Sequence, residues 1–232
     1  MQNLSISFDN TVMVGASDRL EPKLTTIQAL LAKNREHLER FEANPLFSLA
    51  GSHLFKIPDV KERFLDCFQV WSDKYQKMVL VRSVFCEDAR YAGLTLQHMI
   101  EEFGHNNALD SMRNGRPSVW DPILEATANW FPWKILTLGE PEKIVLVHMV
   151  VEASATIFYK HIKPALHAEN DQHFSHHETV DHSHEKLGLE KLECLAEPDY
   201  LRLGEIQSEG WAMLNVVMAR IEQLSRQSLA LN

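Results

Sequence analysis

The stretch that most limits what this chain can become is Val145–Tyr159, which reads V-L-V-H-M-V-V-E-A-S-A-T-I-F-Y. Pro141 opens it and Pro164 marks its far end, so the spacing predicts one strongly apolar helix placed inside the protein. Glu152 stands in the middle of that run. An isolated carboxylate in apolar surroundings takes up a proton unless a cation or hydrogen bonds compensate it. An edge position or a Lys or Arg partner is the competing reading. His148, one turn earlier, is equally readable as a hydrogen-bond donor to a ligand or as simple core packing.

Two more segments carry ionisable residues at helical spacing. In His173–His184, H-F-S-H-H-E-T-V-D-H-S-H, the residues His177, Asp181 and His184 fall at i, i+4 and i+7 and share one helix face. Asp171 suits the N-cap, and Phe174, Val180 and Leu187 suit a helix. The stretch holds five of the twelve His, so a His-rich surface segment is the competing reading. Upstream, His98, Glu102 and His105 repeat the same spacing, and Glu102-Phe-Gly-His105 is an E-x-x-H pair. Gly104 within a helix costs about 1 kcal/mol relative to Ala, which suggests close approach of another helix or a bound group.

Taken together, Glu102, His105, Glu152, His177, Asp181 and His184 supply three carboxylates and three imidazoles from three helices. Mixed nitrogen and oxygen sites of this kind hold two Fe or Mn ions. Such ligands stabilise the higher oxidation states, which makes O2 activation the natural chemistry. Structural zinc favours four ligands with Cys prominent. Cys67, Cys86 and Cys194 show no metal-binding spacing and read as buried thiols of a reducing cytoplasm.

The rest of the chain reads as helix. Periodic segments run from Asp18 to about Pro45, from Pro58 to about Cys86 with a possible break near Ser72-Asp73, and from Asp88 to Met112. Others run from Asp121 to Leu136, kinked or ended by Pro132, through the apolar and His-rich helices, and from Pro198 to the C-terminus. Residues 45–58 read as irregular, and residues 1–17 as a loosely held arm. Nothing alternates strictly, so the expected fold is an all-α bundle of about seven helices in one domain spanning residues 1–232. With 45% hydrophobic residues, a net charge of −9 and a pI near 5.7, nucleic acid and anionic membrane are poor partners. No apolar run reaches the roughly 18 residues of a membrane span, and the N-terminus lacks the basic start and apolar core of a signal peptide.

At this point the sequence resembles the haem-oxygenase-like di-iron oxidases and oxygenases. The resemblance is carried by His177-x-x-x-Asp181-x-x-His184 preceded by Phe174, by Glu152 in its apolar helix, and by Glu102 in E-E-F-G. The early N-P-L-F-S-L-A-G-S-H-L-F-K-I and F-Q-V-W-S-D-K-Y-Q add to it, so that it spans residues 40–190. It implies a haem-oxygenase-like seven-helix fold binding two Fe(II) ions, with Mn possible, and O2 as co-substrate. It also implies a small amino-acid- or fatty-acid-like substrate that is desaturated, cleaved at C–C or C–N, or N-oxygenated, by a homodimer. One departure stands out: the usual His seven residues after the first Glu is Leu109 here. Either His105 replaces it, or His98 and His105 both bind, with His98 in the Glu position. Asp73 is a further carboxylate candidate.

Arg82, Arg90, Lys160 and Lys163 are candidate cations for a substrate carboxylate, though each reads more simply as a solvated side chain. Trp120, Trp130, Phe131 and Trp133 are candidate pocket walls or core. A ferritin-like protein would repeat its E-x-x-H, a metal-free thiaminase-like relative would not need six ligands, and haem oxygenase would rest on His37 or His53. The remaining alternative is a non-enzymatic helical protein that binds metal through a surface His cluster.

Overall fold

A computed structural model describes residues 25–166, 184, 186–193 and 195–230. The expected all-α bundle is what forms, with no strand among the described residues. The helices are α1 (Ile27–Glu42), α2 (Pro45–Ala50), α3 (Pro58–Val84), α4 (Ala89–Glu102), α5 (His105–Met112) and α6 (Pro122–Ile135). They continue as α7 (Glu140–Ile144), the π-helical π1 (Val145–Glu152), α8 (Ala153–Leu166) and α9 (Glu197–Gln227). No described helix is long and apolar enough to cross a membrane.

Prolines mark where helices begin. Pro45, Pro58, Pro122, Pro141 and Pro198 all lie in first turns, where the missing N–H leaves no bond unmade. Side-chain caps do the rest. The Thr26 hydroxyl accepts from Ala29 N–H at 3.2 Å, Asp88 from Arg90 N–H at 2.9 Å, and Asp121 from Leu124 N–H at 2.9 Å. Each satisfies a donor that the helix leaves open.

Several expected boundaries move. Residues 45–58 are not irregular: they fold into α2 and a 3-10 turn at His53–Lys56, because Asn44 caps Leu46 N–H at 3.1 Å. The helix α3 runs unbroken through Ser72-Asp73, and α6 passes through Pro132 to Ile135. The helix expected over Asp88–Met112 is two helices, since Gly104 takes φ +89° between α4 and α5. A Cβ there would meet only Asn107 at 3.6 Å, so the glycine serves the left-handed turn and not close approach. The apolar helix is interrupted as well. In π1, Ala153 N–H donates to His148 O five residues back, the wider turn that tends to appear at functional sites. The His-rich helix, His184 apart, lies outside the described residues, as does the arm.

The core sits around α3, which packs on α4, α5, α6 and α9. Phe64, Phe68 and Phe158 form a stacked ladder between α3 and α8, and Trp71 meets Phe131 edge-on at 5.0 Å. A polar joint ties α1 to α9: the buried Asn34 Oδ1 accepts from Trp211 Nε1 at 2.8 Å and from Gln207 Nε2 at 3.2 Å. Gly210 in α9 lets π1 come close, since a Cβ there would lie 2.7 Å from Leu146 and 3.3 Å from Val150. Through these contacts α3, α4 and π1 turn their ionisable residues toward one another.

Candidate metal centre

Four side chains that the sequence scatters over 87 positions converge inside the bundle. His98 and Glu102 come from α4, one turn apart, Glu152 from the last position of π1, and His184 from the helical residue before the Gly188 turn. All four are buried, and one potential ligand atom from each lies within 4.8 Å of the others.

The contacts among them are specific. His98 Nε2 lies 2.9 Å from Glu152 Oε1, which also accepts from the Tyr75 hydroxyl at 2.6 Å. His184 Nδ1 lies 3.1 Å from Glu102 Oε1 and 3.8 Å from Glu152 Oε2. Its other nitrogen, Nε2, is 2.7 Å from Glu101 Oε2 at the rim. Glu102 Oε2 pairs with His105 Nδ1 at 2.9 Å. The His98 ring meets those of His148 and His184 edge-on, with centroids 5.0 Å apart in both cases.

Burial on its own would push the Glu152 carboxyl up, but the neighbouring His184 and His98 imidazoles outweigh it and hold the group well below the usual carboxylate range. Burial would likewise lower His184, yet Glu102, Glu152 and Glu101 raise it to about 11. The cluster therefore keeps a positive charge where carboxylates meet. A metal cation held by the same atoms would take that place, since imidazole ligates only when neutral. The buried His98 Nδ1 and His184 Nδ1 have no hydrogen bond of acceptable geometry among the described residues, which a ligand role or a bound group would supply. The donor set of two imidazoles and two carboxylates fits Fe, Mn or Zn. On these observations the residues fit a metal ion.

Set against the expected ligands, the structure brings together His98, Glu102, Glu152 and His184, with His105 against Glu102 from the first turn of α5. His177 and Asp181 lie outside the described residues. His98 faces Glu102, Glu152 and His184, and His105 Nδ1 lies against Glu102 Oε2. Asp73 is elsewhere, accepting from Gln69 Nε2 at 2.8 Å and Asn106 Nδ2 at 2.9 Å. Leu109 is fully buried core.

His148 faces a cation. Arg82 Nη1 donates to His148 Nε2 at 2.6 Å, and burial, then Arg82, keeps the imidazole well below its ordinary value and neutral. Arg82 is itself 1% exposed, contrary to its reading as a solvated side chain, and burial lowers it to about 10. Arg90 and Lys160 are exposed and paired with Asp88 and Glu42. Phe131 is core and Trp130 packs on it, whereas Trp120 and Trp133 are exposed.

Beside the cluster lies a partly open cavity of about 60 Å³. Glu102, His105 and Glu152 form its polar end, and Phe68, Trp71, Tyr75, Val151, Phe158 and Tyr159 form much of its wall. Sequence reasoning missed Tyr75, Gln76 and Glu101. Glu101 was visible beside Glu102 in E-E-F-G, but Tyr75 and Gln76 sit in an ordinary helical period that gives no sign of their partners.

No family model matches the chain, and neither does a solved structure. Over 203 residues the chain is 34% identical to the uncharacterized protein RP592 of Rickettsia prowazekii (strain Madrid E), which covers 87% of this chain and 97% of that protein.

Proposed function

We propose that this chain, which belongs to one family with the rickettsial protein RP592, is a non-haem di-iron oxidoreductase that uses O2 on a small, largely apolar metabolite. The observation that carries the proposal is a buried two-Glu, two-His cluster whose Glu102 and Glu152 line an adjoining, largely apolar pocket. A cluster built only for stability would gain nothing from facing a pocket, and a surface His cluster would not bury His184 to 2% exposure.

His98, Glu102, Glu152 and His184 would hold the metal, with His105 beside Glu102 and with His177 and Asp181, outside the described residues, completing a two-ion set. Two bound Fe(II) ions would supply two of the four electrons that reduce O2, the oxidised C–H, C–C or C–N bond of the substrate would supply the other two, and an external reductant would return the iron to Fe(II). The chain supplies geometry and environment. The Tyr75 hydroxyl fixes the Glu152 carboxylate, Glu101 fixes the His184 ring, and both orient ligands from outside. Phe68, Trp71 and Phe158 exclude water from the substrate and hold it against the polar end.

The test is anaerobic addition of Fe(II) to the purified full-length chain, followed by iron counting and then by O2 uptake. The expected result is about two irons per chain in the natural protein, O2 consumption, and loss of both in Glu152→Ala and His98→Ala. Iron binding that is indifferent to Glu152 and His98 would instead favour a metal-binding protein without this chemistry.

A further inference from the structure

The pocket beside the cluster also limits what can enter it. No Lys or Arg is among the described residues that line it. The cations near the site are engaged elsewhere: Arg82 behind His148, Lys74 on Glu125 at 2.5 Å, and Lys160 on Glu42 at 2.6 Å. A carboxylate or phosphate in this pocket would lose its hydration and gain no counter-charge from a Lys or Arg of the described lining.

One lining residue asks for a different partner. Gln76 is 8% exposed, and its Oε1 accepts from Gly104 N–H at 2.7 Å. That bond fixes which end of the amide is oxygen, so the NH2 end is a donor. Its Nε2 is buried and has no partner among the described residues. A buried amide donor left unpaired costs about 1–3 kcal/mol, which an acceptor on a bound molecule would relieve.

We infer that the pocket takes an uncharged, mainly apolar molecule carrying a hydrogen-bond acceptor, a carbonyl or hydroxyl oxygen, received by Gln76 Nε2. The inference rests on the reading of this pocket as the substrate site. It narrows the amino-acid- and fatty-acid-like substrates to forms without a free carboxylate, such as amides, esters, aldehydes and alcohols. Gln76 is then a residue that selects substrate without holding metal.

Three probes of similar size separate the terms: acetophenone, a neutral acceptor; ethylbenzene, its apolar counterpart; and benzoate, an anion. Their binding to the full-length chain is measured by calorimetry, without metal and with Fe(II) under anaerobic conditions. Acetophenone is expected to bind about tenfold more tightly than ethylbenzene and benzoate, a factor equivalent to about 1.4 kcal/mol. Gln76→Met should remove the preference over ethylbenzene. Gln76→Glu, which keeps an oxygen for Gly104 N–H, should remove it too if loss of the donor is the cause and not loss of the fold. Benzoate binding as tightly as acetophenone, or a preference unchanged in both variants, overturns the inference. Iron counts on the same samples separate the two claims: Glu152→Ala losing iron while retaining the probe order leaves the ligand class standing. Iron retained by the natural protein with no probe order sinks the ligand class alone.

Discussion

A carboxylate as deeply buried as Glu152 stays ionised only because its oxygens are met by Tyr75, His98 and His184. Of these, Tyr75 touches the carboxylate from the pocket side and belongs to no ligand set. Tyr75→Phe should therefore weaken Fe(II) binding by about tenfold, the usual effect of removing a ligand's outer hydrogen bond, with little change in the thermal midpoint. An anaerobic Fe(II) titration beside a melting curve checks both halves. Far from the site, His37 stacks on Trp211, and burial, then Lys33 and Arg40, lowers its pKa to about 4 against the pull of Glu36. The folded state thus resists a proton that the unfolded chain accepts near pH 6.5. The stability tied to neutral His37 is fully present above pH 6.5 and declines as pH falls from there toward 4. Unfolding free energies measured across that window should slope downward toward acid, and His37→Phe, which keeps the ring but not the titration, should flatten the slope.

Among the elements, those with strong local signals were legible in the sequence and those set by packing were not. The starts at Pro58, Asp121 and Pro198 and the 3.6-residue period marked α3, α6 and α9, while the period found α1 but placed its start at Asp18, where the helix begins at Ile27 behind the Thr26 cap. The break after Glu102 was not visible as a break, because Gly104 inside a period reads as a packed helix until its φ is seen. The π turn was equally hidden, since nothing in V-L-V-H-M-V-V-E distinguishes i→i+5 from i→i+4 bonding. These two irregularities flank the site. One ends α4 just after Glu102, and the other ends at Glu152, so the ligands were legible as residue types while their presentation was not. The turn after His184 makes the same point testable. Gly188 has φ +82°, and a Cβ would lie 2.6 Å from Leu94 Cδ1 and 3.2 Å from Ile144 Cδ1. Gly188→Ala should cost about 2–3 kcal/mol from the left-handed backbone and the overpacking. That corresponds to a midpoint lower by about 5–10 °C in a chain of this size. A melting curve indistinguishable from that of the natural protein would show that the turn relaxes without strain.

At the scale of the whole molecule, the bundle works as a frame that brings α4, π1 and His184 together around a shared interior while α3 supplies the groups that steady them. Tyr75 and the adjacent Gln76 lie on one turn of α3 and Arg82 six residues further on, and each contacts a different part of the site: a carboxylate, the Gly104 turn, and His148. That His98 faces Glu102, Glu152 and His184 follows from this arrangement and not from its spacing alone. The account's central claim is that His98, Glu102, Glu152 and His184 bind metal. Crystals grown or soaked anaerobically with Fe(II), and measured at the iron absorption edge, test it most directly. The claim predicts an anomalous peak among those four side chains, absent from crystals of Glu152→Ala. Anomalous density confined to His residues on the surface, with none between Glu102 and Glu152, would contradict it.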